Sequence, residues 1–256
     1  MKNSSRVLER ILWKRIKFSS FHPKEADMRN QTSRNNTFFI VYVIGALLGL
    51  TLTVLATWAD VEAAFYGFDR TGGDQMNTLS CPILMTSRET SAFSIKVSNR
   101  TDRNLSPSIK TDISTRAAPI SSYEPIKLAP GETKKMEWSI GPENQDLGRF
   151  IFARAWVYAA YPQPDLENTC GIFILPLPGK GTFYTWAMIL LSLAGMGYGL
   201  YGFKKASPNI ALPAFLTVVV VAGLLIDFQG IWLAGVLILA VSLLVIVIAL
   251  GQAVRS

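Results

Sequence analysis

Half of the 256 residues are hydrophobic and only 17% are charged, well under the roughly 25% of an ordinary soluble protein. The formal net charge is +7, and two cysteines with a single histidine offer no cluster for a metal site. The charge deficit is concentrated in four runs that contain no Lys, Arg, Asp or Glu: residues 38–59, 183–203, 210–226 and 231–250.

Ahead of the first run, residues 5–18 repeat with a helical period. At 100° per residue Val7, Leu8, Ile11, Leu12 and Phe18 share one broad face, and Arg6, Arg10, Lys14 and Lys17 the opposite one. Arg15 falls on the apolar side, where its stem can snorkel, and Ser4 or Ser5 supplies a cap. A basic amphipathic helix next to an apolar run either lies in the inner membrane interface or docks on a partner protein, and both readings stay open. Residues 19–36 are polar and read as a linker, with the one histidine, His22, solvated within it. Residues 1–36 thus form a basic tail.

The apolar runs predict transmembrane helices over 37–59, 182–203, 209–227 and 230–251. About 20 helical residues cross the hydrocarbon core. The third run is short and needs its flanks. Core helices of a soluble protein are the alternative, but such helices keep a polar stripe. The first run is too long, and too far into the chain, for a cleaved signal, so it reads as a retained signal anchor. Orientation follows from Lys and Arg near the helix ends. Residues 1–36 carry nine of them against three acids, and Lys204, Lys205 and Arg255 fall on the same side if there are four spans. The sequence therefore predicts a cell-membrane protein with both termini cytoplasmic and residues 60–181 outside the cytoplasm. That segment holds 13 basic and 14 acidic residues, so it is nearly neutral. The positive charge is a topology signal, because a nucleic-acid footprint needs a basic patch on a folded domain. Asp227 reads as a solvated turn or cap rather than a carboxylate on an ion path.

Within 60–181, period-two alternation dominates. Phe93, Ile95 and Val97 alternate with polar residues, as do Ile109, Thr111 and Ile113, and Met136, Trp138 and Ile140. Further strands are expected over 79–86, 123–128, 148–161 and 169–176. Seven strands with turn residues between them predict an antiparallel β-sandwich inserted between the first and second helices. The 148–161 strand is apolar on both faces, with Phe150, Phe152, Trp156 and Tyr158 on one and Ile151, Ala153, Ala155, Val157 and Ala159 on the other. It is either a central strand or one that offers a face to a partner.

The segments Val97-Ser98-Asn99-Arg100-Thr101-Asp102, Leu128-Ala129-Pro130-Gly131-Glu132-Thr133 and Trp138-Ser139-Ile140 resemble the turn-and-strand rhythm of bacterial and archaeal Ig-like surface domains of the CARDB kind. The resemblance spans about 45 residues. It implies a sandwich used as a spacer or adhesion module, and it carries no catalytic residues across. The chain departs from that pattern in its two cysteines and in being tied to the membrane at both ends.

Cys81 and Cys170 fall in the first and last predicted strands of a domain in an oxidising compartment, which fits a disulfide. In the helices, Gly45 with Gly49 and Gly195 with Gly199 form two GxxxG pairs, a spacing that lets backbones approach in lipid. No haem, phosphate-loop, nucleophile or carboxylate-pair pattern is present, so no catalytic, cofactor or metal residue is assigned. The expected function is a non-enzymatic accessory, scaffold or assembly subunit of a larger membrane complex, with the lipid bilayer and other membrane subunits as partners. A nucleic-acid partner is not expected, and a small-molecule ligand is left unknown. The alternative is a transporter or channel component, which calls for polar or broken helices at mid-membrane.

Overall fold

The computed structural model describes residues 23–68, 72–158, 163–206, 211–227 and 232–255. The amphipathic stretch 5–18 and His22 lie outside them.

The first helix, α1, runs from Pro23 to Phe65 without a break. Residues 23–36 are therefore helix and not the expected linker, and the same helix runs on past 59 into the segment expected to form the β domain. The physical reason lies in what the stretch lacks. Proline stands only at the first position, where its missing N–H has no intrahelical partner to lose. No glycine follows Gly49 until Gly67, so the charges of Asp60 and Glu62 do not stop the helix.

Among its described residues the β domain holds eight strands: β1 (Asp74–Gln75), β2 (Leu84–Thr86), β3 (Ser91–Ser98), β4 (Ser108–Ile113), β5 (Ile120–Pro125), β6 (Thr133–Ile140), β7 (Phe150–Tyr158) and β8 (Leu166–Leu175). One sheet has the order β1-β8-β7-β4-β5, with β2 also on β8, and β3 pairs β6 in a second. The inner faces meet in a core containing Phe93, Ile95, Ile109, Ile140, Ile151, Ala153 and Val157. The expected wholly antiparallel pattern needs a correction, because β1 and β2 both run parallel to β8. The 79–86 strand shrinks to β2, since Pro82 interrupts it, and only an isolated bridge joins Ser80 to Ser94. The 123–128 strand moves upstream to β5. Past Pro125, Ile126 and Leu128 are buried, and Leu128 makes only a bridge to Leu105.

The residues that carried the resemblance have a physical role. Asn99 is fully buried, and its Nδ2 donates to the carbonyls of Arg103 at 2.7 Å and Ala129 at 3.0 Å. Its Oδ1 accepts from the Thr101 backbone and hydroxyl. Gly131 takes a φ of +72°, a conformation glycine adopts without strain, and donates to the Asn99 carbonyl. One asparagine thereby clamps two turns together.

Three helices follow: α2 (Gly181–Ala206), α3 (Ala211–Asp227) and α4 (Trp232–Arg255). Thr37–Phe65 of α1 and Gly181–Gly202 of α2 are long and apolar enough to cross a membrane, and α3 and α4 carry shorter apolar stretches. The glycine pairs sit where α1 meets α2. A Cβ on Gly45 would lie 2.8 Å from the Met196 nitrogen, and one on Gly195 3.1 Å from the Gly45 Cα. A Cβ on Gly49 would strike Val220 and Ser192, and one on Gly199 would strike Tyr42. Gly45, Gly195 and Gly199 therefore stand at close backbone approaches between α1 and α2, and Gly49 leaves room for side chains of α2 and α3.

Candidate interaction surface of the β domain

The last turns of α1 lie on the face of the six-stranded sheet that points away from the sandwich core. Trp58 packs edge-on to Phe150, Tyr66 against Phe152, and Phe68 beside Arg154. Phe150 and Phe152 are buried and belong with Ala59, Ala63 and Phe173 to a second apolar cluster that continues into the helices. Each such aromatic is worth about 1.5–3 kcal/mol on burial. The two-faced strand β7 is thus central, between β8 and β4, and the first half of its second face is taken by α1.

The approach is closest at Gly171. A Cβ there would overlap the Ala59 carbonyl, so backbone meets backbone. The Gly171 N–H falls in the gap that β1 and β2 leave along the β8 edge, and Asp60 Oδ1 accepts from it at 3.0 Å. The disulfide between Cys81 and Cys170 closes beside it, with Cα atoms 6.5 Å apart. At the other connection Glu89 Oε2 accepts from the Gly181 N–H at 2.6 Å and from the Thr86 N–H at 3.0 Å. A carboxylate thereby satisfies one of the free donors at the start of α2 and adds favourable charge there. Each end of the β domain is thus tied to a helix by a backbone N–H held on a carboxylate.

Above the covered half, the same sheet face carries charge and aromatic rings. Arg154 is 1% exposed. Its Nε donates to Asp112 Oδ2 at 2.7 Å and its Nη1 to Glu167 Oε1 at 3.2 Å. Its Nη2 stands 2.5 Å from the same Oδ2 but off line for a hydrogen bond, so the guanidinium shares one oxygen instead of forming a two-oxygen fork. Lys110 adds a second cation 3.7 Å from Asp112 Oδ1, and the four charges cancel. The Ser121 hydroxyl donates to Asp112. A cavity of about 320 Å³ opens beside this group, walled by Arg154, Glu167, Asn168, Tyr66, Phe68 and Gln75. Tyr66 donates to Asp146 Oδ2 at 2.6 Å; burial, and then that hydrogen bond, push its phenol up to about 12.

The next row across the sheet is Tyr123, Lys110, Trp156 and Glu167, one residue from each of β5, β4, β7 and β8. Lys110 Nζ lies 5.7 Å over the Tyr123 ring, and the Trp156 and Tyr158 ring centroids are 3.6 Å apart. Tyr123 is 62% exposed. Among the described residues no three of His, Cys, Asp and Glu come together as metal ligands. Sequence reasoning missed Arg154, Asp60 and Glu89. Only Asp60 left a trace, as an acid directly after an apolar run.

No family model and no curated protein matches the chain. Among solved structures it is similar to the CARDB domain of a Pyrococcus furiosus protein in complex with di-metal ions. That match has 11% identity over 42% of this chain and 98% of that one, with a TM-score of 0.30. A β-glucosidase from Erythrobacter marinus matches at 20% identity over 36% of this chain and 14% of its own, TM-score 0.27. A Bacteroides uniformis β-glucuronidase matches at 12% over 38% and 13%, TM-score 0.31. The chain spans about one seventh of the length of these two glycosidases. The β region between α1 and α2 resembles, distantly, an Ig-like domain of the CARDB kind.

Proposed function

We propose that the chain is a non-enzymatic integral membrane scaffold or accessory subunit that holds a β domain in a fixed position outside the cytoplasm, as a docking platform for other proteins of a membrane complex. The observation that carries this reading is the double anchoring of the domain. A domain that only tethers hangs from a linker; this one is joined through Ala59 against Gly171 on one side and Glu89 under Gly181 on the other.

In this reading all four helices span the bilayer. Large apolar side chains are exposed on each of them, among them Ile40 and Leu47 on α1, Leu190 on α2, Val218 and Leu225 on α3, and Leu237 and Leu244 on α4. Such surface suits lipid and is untenable in water. At about 26 Å, α3 falls a little short of the hydrocarbon core and draws on its flanks. The distribution of Lys and Arg supports cytoplasmic termini.

Thiol labelling from outside intact cells tests the topology: Asp102→Cys is labelled and Lys205→Cys is not. The reverse pattern overturns it. Native mass measurement after extraction in mild detergent tests the platform: the protein runs within a larger assembly, and a bare monomer at every detergent strength refutes that role.

A further inference from the structure

The six-stranded sheet has one open side. Along β8 the outer edge is occupied by β1, by β2 and, between them, by the end of α1. The two-stranded sheet is blunted by charge, with Lys96 directly opposite Lys135 and with Lys134 exposed on β6. Charged side chains along edges are a recognised defence against strand addition. At the other end of the large sheet β5 pairs only with β4. Five of its six residues are exposed and the sixth, Glu124, is partly so. Glu124 is its one charge, and its proline is confined to the last position. Ile120 and Tyr123, exposed by 57% and 62%, flank two serines along it. A six-residue edge with free backbone groups and two large exposed apolar side chains is a template for another strand.

Charge around the edge selects the occupant. Arg116 stands just before β5 and Lys127 just after it; both are exposed and neither has an ion-pair partner among the described residues. Lys110 lies under Tyr123 on the neighbouring strand. A second copy in the same membrane is unsuited. β7 runs along α1 from Trp58 towards Phe68, and β5 runs in the same direction as β7. A twofold axis along the membrane normal sets two β5 edges side by side in one direction, donor against donor, whereas a ladder between like edges needs antiparallel strands.

We propose that β5 is a strand-addition site for an extended acidic segment of another protein, whose backbone extends the sheet and whose carboxylates meet Arg116 and Lys127. This rests on the reading of the domain as a docking platform and names the contact. The test uses the full-length protein in nanodiscs and a fluorescent heptapeptide of alternating Glu and Val, with a Lys-and-Val peptide as the comparison. The acidic peptide binds about tenfold tighter or better, and the Arg116→Glu, Lys127→Glu double variant reverses that preference. Both sites are exposed, so the variant folds. Hydrogen exchange with the acidic peptide bound slows in residues 120–125. Equal binding of the two peptides, an unchanged double variant, or slowing only outside that strand each overturns the proposal. The platform reading is judged separately by the native mass of the extracted protein, so the two failures are distinguishable.

Discussion

Gly171→Ala tests the junction most directly. The added methyl group would occupy the space of the Ala59 carbonyl. The obstacle is main chain, so no rotamer change relieves it, and the helix must back away from β8. Overpacking of this kind costs about 1–3 kcal/mol. Retreat also loosens the Asp60 to Gly171 hydrogen bond, worth about 1 kcal/mol. Against this, alanine recovers about 0.5–1 kcal/mol that glycine loses in a strand. The net expectation is about 1–3.5 kcal/mol of destabilisation, or a fall in Tm of about 2–14 °C for a chain of this size. Trp58, edge-on to Phe150 and tilted against Phe173, reports the separation during thermal unfolding in detergent, as the part of the tryptophan fluorescence that Trp58→Phe removes. Gly197→Ala is the control, since a Cβ there meets nothing within 4 Å. If Gly171→Ala melts with the wild type while both hold the Trp58 signal, the close approach does not exist and the double anchoring falls with it.

Replacing Cys81 and Cys170 together by serine opens a loop of 89 residues and costs about 3–5 kcal/mol in the chain-entropy model, measured as a lowered unfolding midpoint that reductant no longer shifts. Arg154→Met leaves Asp112 buried without its main counter-charge and costs about 3–5 kcal/mol, whereas a triple change that also replaces Asp112 and Glu167 by apolar residues recovers most of it in the same denaturation assay. Tyr66 has a folded-state pKa of about 12 against 10.0 unfolded, so its contribution is intact below pH 10 and fades as pH rises through about 12. In an alkaline absorbance titration Tyr66→Phe removes amplitude from the late part of the curve; loss of amplitude from the main transition instead shows that Tyr66 ionises with the rest.

What could be read in advance was what local pattern encodes. The alternation in β3 and β6 located both strands, and Asn99 and Gly131 each marked a turn, but that Asn99 reaches across to clamp the two turns was not visible. The docking of α1 was hidden. Asp60 and Glu62 look like the end of a membrane run, and only the absence of glycine or proline before Gly67 argues that the helix goes on. Gly171 is an ordinary strand glycine until a carbonyl from 112 residues earlier is laid on it. Arg154 stands in an otherwise apolar strand, and its burial depends on Asp112 from a neighbouring strand, a pairing set by sheet order alone. The parallel seating of β1 and β2 on β8 is likewise non-local and leaves no periodic trace.

An unbroken α1 of 43 residues is a rod about 65 Å long. It has no proline past its first position to act as a hinge, and its far end is wedged into a sheet. Such a rod behaves as a lever. A tilt of about 5° about a pivot at one end carries the other through about 6 Å, more than the spacing between neighbouring β-strands. Force applied to the polar end of α1 therefore reaches the six-stranded sheet as displacement of the sheet itself, with the helix staying straight.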